Sequence, residues 1–188
     1  MTQQDILDKL KEGNKRFTTD SMIHGMQDAA RRGDLTGGQQ PWAIILSCAD
    51  SRVAPELAFD TGLGELFVIR VAGNVANTSS IASIEYAVAH LGTQVIVVLG
   101  HQSCGAVTAA AAGGNNGYNL NHLLSHITPA VAASPEGTAI DDIVRTNAKN
   151  NAQDLMDRSS IIKDAVDAGK VKIVPAFYHL TNGQVDFL

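Results

Sequence analysis

Two apolar runs, Ala43-Ile-Ile-Leu46 and Val95-Ile-Val-Val-Leu99, do most to limit what this chain can fold into. Neither alternates apolar with polar residues, so neither suits a sheet with one wet face. Short continuous runs of this kind are strands covered on both sides, as in a parallel sheet between helices. Residues 66–71 and 171–177 read as two further strands. Helical patterns separate them. Residues 2–17 place Ile6, Leu7, Leu10, Asn14 and Phe17 at helical spacing, behind a Thr2 N-cap with Asp5 three residues on. Residues 79–91 and 104–112 read as helices, 28–32 as a short one, and 119–168 as a mostly helical region broken at Pro129 and Pro135. Asn182-Gly183 is a hairpin signal that pairs residues 177–180 with 184–188. The expectation is an α/β fold: a mostly parallel central sheet flanked by helices, with an antiparallel C-terminal edge. Ligands then belong beyond the carboxyl ends of the strands.

A chain of 188 residues, with 45% hydrophobic and 18% charged residues, suits one domain over 1–188 with a substantial core. The formal net charge of -5 gives no electrostatic reason to expect nucleic acid or an anionic membrane as partner. No apolar run approaches a membrane span, and the polar opening lacks the basic and apolar regions of a secretory leader. Two cysteines far apart in sequence do not form a disulfide framework. A cytoplasmic location is expected.

Those two cysteines follow the two central strands. Cys48-Ala-Asp50-Ser-Arg52 comes directly after the first, His101-Gln-Ser-Cys104 after the other. A lone Cys at a strand end is usually a small buried hydrophobe, and Asp50 with Arg52 is by itself an ordinary ion pair. Together the segments say more. His and Cys three residues apart across a strand-to-helix turn can chelate one metal. With Cys48 they make a soft zinc set one ligand short of a closed tetrahedral site. An open position implies chemistry.

Here the sequence resembles the β-class carbonic anhydrases, whose pattern is Cys-x-Asp-x-Arg followed by His-x-x-Cys. Leu10-Lys-Glu-Gly-Asn14-Lys-Arg-Phe17, Gln39-Gln-Pro41, Gly64-Glu-Leu-Phe67-Val-Ile-Arg70, Ala72-Gly-Asn74 and Glu85-Tyr86-Ala87 extend the likeness from about residue 2 to 112. The resemblance implies one zinc ion per chain on Cys48, His101 and Cys104, with Asp50 and Arg52 as a catalytic dyad beside it. It implies reversible hydration of carbon dioxide to bicarbonate and a proton, by attack of zinc-bound hydroxide. Gln39 matches a glutamine that binds bicarbonate, and Phe67 and Tyr86 match residues of a small apolar pocket. Val71 and Val75 compete for a third pocket position. The pocket is expected to be completed by a neighbouring protomer in a homodimer or dimer of dimers, with the N-terminal helix packing on the partner. Regulated relatives use a tryptophan three residues before the first cysteine to bind inhibitory bicarbonate; Ile45 stands there, and Arg70 matches the basic residue of that site.

Other readings start from the same residues. Hydrolysis of carbonyl sulfide or carbon disulfide would use the same ligand set. A catalytically silent zinc or bicarbonate-binding module would need neither Asp50 with Arg52 nor Gln39. A hydrolase built on Cys104 or Ser103 would keep its activity without metal. His122 and His126 share a helical face but lack a third ligand, and His24, His90 and His179 have no assigned role.

Overall fold

A computed structural model describes residues 1–188. Five strands form one sheet in the order β2-β1-β3-β4-β5: β1 Ala43–Ser47, β2 Leu66–Arg70, β3 Val95–His101, β4 Lys172–Tyr178 and β5 Val185–Phe187. The pairs β1·β2, β1·β3 and β3·β4 are parallel, and β4·β5 is antiparallel. The sheet is therefore mostly parallel with an antiparallel C-terminal edge, as the apolar runs require. Every residue of β1 and of β3 is buried.

Helices cover both faces. On one lie α1 (Gln3–Thr18) and the short α3 (Pro55–Ala58); α2 (Ala29–Asp34) is exposed. Ile45, Val97 and Leu99 point to this side, where Ile6, Leu7 and Leu10 of α1 meet them. On the other lie α4 (Thr78–Leu91), α8 (Ile140–Arg158) and α9 (Ser160–Asp167), against Ile44, Leu46, Ile96 and Val98. Beyond the carboxyl ends of the strands, α5 (Gly105–Ala112), α6 (Tyr118–Ser125) and α7 (Thr128–Ala132) close a third apolar cluster containing Cys48, Cys104 and Phe177.

The N-terminal helix starts at the expected capping box: Thr2 Oγ1 accepts from the Asp5 N–H, and Asp5 accepts from the Thr2 N–H. Its apolar stripe is used within the same chain, so any contact with a partner falls to its remaining face. Asn14 sits on the inner stripe because its amide is fully used. It donates to the carbonyls of Ala58 and Gly183, and accepts from the Val185 N–H. A Cβ on Gly13 would lie 1.9 Å from the Phe59 carbonyl oxygen, so only glycine permits this approach.

Three local features differ from the sequence expectation. The break expected at Pro129 falls just before it, at residues 126–127, and Pro129 sits in the first turn of α7, which needs no N–H from it. The long helical region divides at Ser159, whose hydroxyl caps α9 by accepting from the Ile162 N–H. The C-terminal hairpin forms, but with residues 180–183 as its loop, closed by bonds between His179 and both Gly183 and Gln184.

Candidate metal centre

The chain runs from β1 to β2 on one side of the sheet and returns with β3 on the other side of β1. Between the carboxyl ends of β1 and β3 the strand order therefore reverses, the place where such sheets open a crevice. Cys48 leaves β1 there. His101 is the last residue of β3, and Cys104 is the N-cap of α5. The turn between them is held at both intervening residues. Ser103, at φ 54, donates its N–H to Asp141 Oδ1 at 2.8 Å, and Gln102 Oε1 accepts from the Thr181 N–H at 3.2 Å.

One ligating atom from each of Cys48, His101 and Cys104 lies within 4.8 Å of the other two, and all three residues are buried. His101 Nδ1 is 2.9 Å from the Gln102 carbonyl oxygen. A carbonyl only accepts, so Nδ1 carries the proton and Nε2 presents a lone pair. Nε2 is buried and has no hydrogen-bond partner. An orphaned imidazole nitrogen beside two thiols is costly as core packing and well suited to a metal. The donor set fits one thiophilic divalent ion, with a fourth position left over.

The two thiols titrate as a pair. The hydrogen bond with Cys104 drives the Cys48 thiol well below its ordinary range. Burial opposes this, while the N–H groups of Asp50 and Gly73 assist. The same bond pushes Cys104 up, and burial adds to it. Cys48 is thus the first to become a thiolate, cradled by the Asp50 N–H at 3.4 Å and the Gly73 N–H at 3.3 Å.

Asp50 is gripped in a fork. Arg52 Nε and its backbone N–H each donate to Oδ1 at 2.9 Å, and Nη2 donates to Oδ2 at 2.7 Å. These bonds, the guanidinium first, hold the Asp50 carboxyl well below the usual carboxylate range against the cost of burial. Its Oδ2 lies 3.9 Å from His101 Nε2, at the mouth of the cluster. Arg70 braces the same turn by donating to the carbonyls of Cys48 at 3.0 Å and Asp50 at 2.7 Å. Ile45 is wholly buried in the core on the α1 face.

The remaining predicted residues sit elsewhere. Phe67 and Tyr86 are neighbours, with ring centroids 6.4 Å apart, and Tyr86 is 48% exposed. Phe67 pairs with Ile44, four positions before Cys48, or about 13 Å along the strand. Gln39 is exposed and precedes the amino end of β1. A single chain does not bring these three to its own Cys48 cluster. Val75 is buried in the apolar cluster with Cys48 and Cys104, and Val71 lies at its margin. His122 and His126 meet edge to face, ring centroids 5.5 Å apart, with no third ligand. Sequence reasoning missed Asp141, the Gly73 N–H, and two buried asparagines of α8, Asn147 and Asn151. Amides at i and i+4 among Val144, Ala148 and Leu155 mark a buried polar pair, since buried amides require partners, but not where those partners lie.

The carbonic anhydrase family profile matches residues 43–185. A carbonic anhydrase of Mycobacterium tuberculosis is 40% identical over 181 residues, covering 93% of this chain and 87% of that protein. A solved Coccomyxa β-carbonic anhydrase, in complex with acetazolamide, superposes with a TM-score of 0.76 at 26% identity, over 94% of this chain and 83% of that one. This chain belongs to the β-carbonic anhydrases. That family is one of carbonate dehydratases. The likeness extends to one of two tetrameric β-carbonic anhydrases from Sordaria macrospora, with a TM-score of 0.72 at 26% identity, over 84% of this chain and 85% of that one. No helix is long and apolar enough to cross a membrane.

Proposed function

We propose that this β-carbonic anhydrase hydrates carbon dioxide reversibly to bicarbonate and a proton, with one zinc ion per chain held by Cys48, His101 and Cys104. The observation that carries the reading is the buried, unpartnered Nε2 of His101 facing two buried thiols. Zinc in such a site supplies Lewis acidity that activates water near neutral pH. Two thiolates donate more charge than two imidazoles, so neighbouring groups must help.

Asp50 is the group placed to do so. Ionised and held by Arg52, it accepts a hydrogen bond from the attacking water and turns its lone pair toward the substrate carbon. Arg52 keeps the carboxylate in that role and stays half exposed, free to follow it. Carbon dioxide needs only a small apolar slot, which Phe67 and Tyr86 furnish, and the Gln39 amide donates to bicarbonate. Because those residues lie away from their own chain's cluster, they serve a neighbouring copy, and the working unit is a dimer or a dimer of dimers. The tetrameric relatives support self-association. Ile45 and Arg70 provide no inhibitory bicarbonate site, since one is core and the other is committed to two carbonyls. Free buried thiols suit the reducing cytoplasm.

Metal analysis with a stopped-flow carbon dioxide hydration assay tests the proposal. About one zinc per chain and activity that disappears with chelation and returns with zinc are expected. Hydration by metal-free protein would overturn it.

A further inference from the structure

The loop between β2 and α4 packs Val75 among the two cysteines, and its backbone is bonded to one of them. Gly73 uses both of its peptide groups. Its N–H donates to Cys48 Sγ at 3.3 Å, and its carbonyl accepts from Asn147 Nδ2 at 2.9 Å. Asn147 is completely buried, and its amide is itself oriented. Asn151 Nδ2 donates to Asn147 Oδ1 at 3.0 Å and to the Asn147 carbonyl at 2.8 Å, which leaves the Asn147 NH2 aimed at Gly73. Asn151 Oδ1 accepts from the Ala76 N–H at 2.6 Å, and Arg158 donates to the Ala76 carbonyl. Positions 147, 151 and 158 stand at i, i+4 and i+11, on one face of α8.

The loop is also tightly packed at Gly73 itself. Gly73 has φ 70, and a Cβ there would lie 2.6 Å from Ile127 Cδ1. Ile127 leaves the Gly73 backbone little room to shift, and the Asn147 amide holds its carbonyl. Apolar packing alone does not call for asparagines on a helix face otherwise made of Val144, Ala148, Ala152 and Leu155.

We infer that Asn147 and Asn151 are positioning residues of the metal centre. Through the 73–76 backbone they keep the Gly73 N–H on Cys48 Sγ, and so fix the direction in which that sulfur presents its lone pairs to a metal ion. The inference rests on the zinc reading of Cys48, His101 and Cys104. Partners behind the ligands typically change metal affinity about 10–100-fold when removed.

The test compares Asn147→Ala with Leu155→Ala, which empties a buried apolar site on the same helix and leaves the loop's bonds intact. In Asn147→Ala, zinc affinity measured by chelator competition should fall about 10–100-fold. In the cobalt-substituted protein, the thiolate-to-cobalt charge-transfer band should shift as well. Leu155→Ala should melt at a lower temperature with affinity and band unchanged. Where Asn147→Ala does not fold, Asn151→Ser carries the test, because it releases the Asn147 amide but leaves Gly73 a partner; a smaller fall in affinity and a smaller band shift are expected. Folded variants with wild-type affinity and an unshifted band would overturn the positioning role alone. A wild-type protein that takes up no zinc would overturn the metal reading with it.

Discussion

β2 and β3 both pair in parallel with β1, and both are almost wholly apolar, yet they end up in opposite circumstances. Every side chain of β3 is buried, whereas no residue of β2 is. β3 is flanked by β1 and β4, with helices above and below, and it ends on His101. β2 is an edge strand, and its Phe67 with the half-exposed Tyr86 leaves an apolar stripe open. Edge strands are commonly blunted by charge or proline, and this one carries neither before Arg70. The centre of the sheet is therefore finished within one chain, and the edge is not. In functional terms the candidate metal ligands belong to the finished part. The candidate substrate pocket belongs to the unfinished part, and that division is the basis for proposing a second copy.

The largest effects should come from the centre. Cys48→Ala or Cys104→Ala removes one of three donors, and should cost more than the roughly 100-fold typical of partners behind a ligand. Zinc content by atomic absorption and carbon dioxide hydration should both drop to background. Full zinc occupancy in both variants would remove these cysteines from the ligand set. Asp50→Asn should be more selective. The amide keeps the size but cannot accept as a carboxylate or match the Arg52 fork, so activity should fall about 10²–10⁴-fold while zinc stays bound. Near-normal turnover across several pH values would take the dyad out of the mechanism.

The edge should respond differently. Phe67→Glu puts a charge on β2 at a ring that is only partly buried, packed at the margin of its own chain's core. If β2 is covered by a second copy, the buried unpaired carboxylate costs about 2 kcal/mol or more. Analytical ultracentrifugation should then show a shift toward monomer, with activity reduced at least about 10-fold and zinc content unchanged. Unaltered assembly and turnover would mean that β2 is not the shared face.

The same contrast explains what was legible in the sequence. β1 and β3 could be read from their residues because burial on both faces leaves a continuous apolar run. The Cys48, His101 and Cys104 grouping was legible because few bland arrangements put a thiol and an imidazole on adjacent strand ends. β2 looked like its central neighbour, since apolar content reports what must be covered and not which chain covers it. The break at Ser159 was hidden because neither proline nor glycine marks it. Its cap depends on a serine that also donates to Glu85, 74 residues away. Asn147 and Asn151 were hidden for the same reason: their partners are backbone groups more than 70 positions earlier.

The smallest effect concerns the polar tie beside the edge. Asp60 lies in the connection leading into β2, with its side chain only 1% exposed. It accepts from Arg16 Nε and from the N–H groups of Ile23 and His24. Burial pushes its carboxyl up, but the Arg16 bond and the two N–H groups together outweigh that, so it ionises below its ordinary value of 3.8. The sign follows from linkage. A carboxyl with a lowered folded pKa contributes stability that is complete above the unfolded pKa and is lost as pH falls through the folded one. Asp60→Asn should therefore melt about 2–4 °C below wild type at neutral pH. The gap should stay constant down to about pH 5 and shrink below about pH 4, as the wild-type carboxylate takes up its proton. β1 and the apolar body of β3 contribute no such slope, because nothing in them titrates before His101. A gap that widens in acid would show that the Asp60 tie is not held by charge.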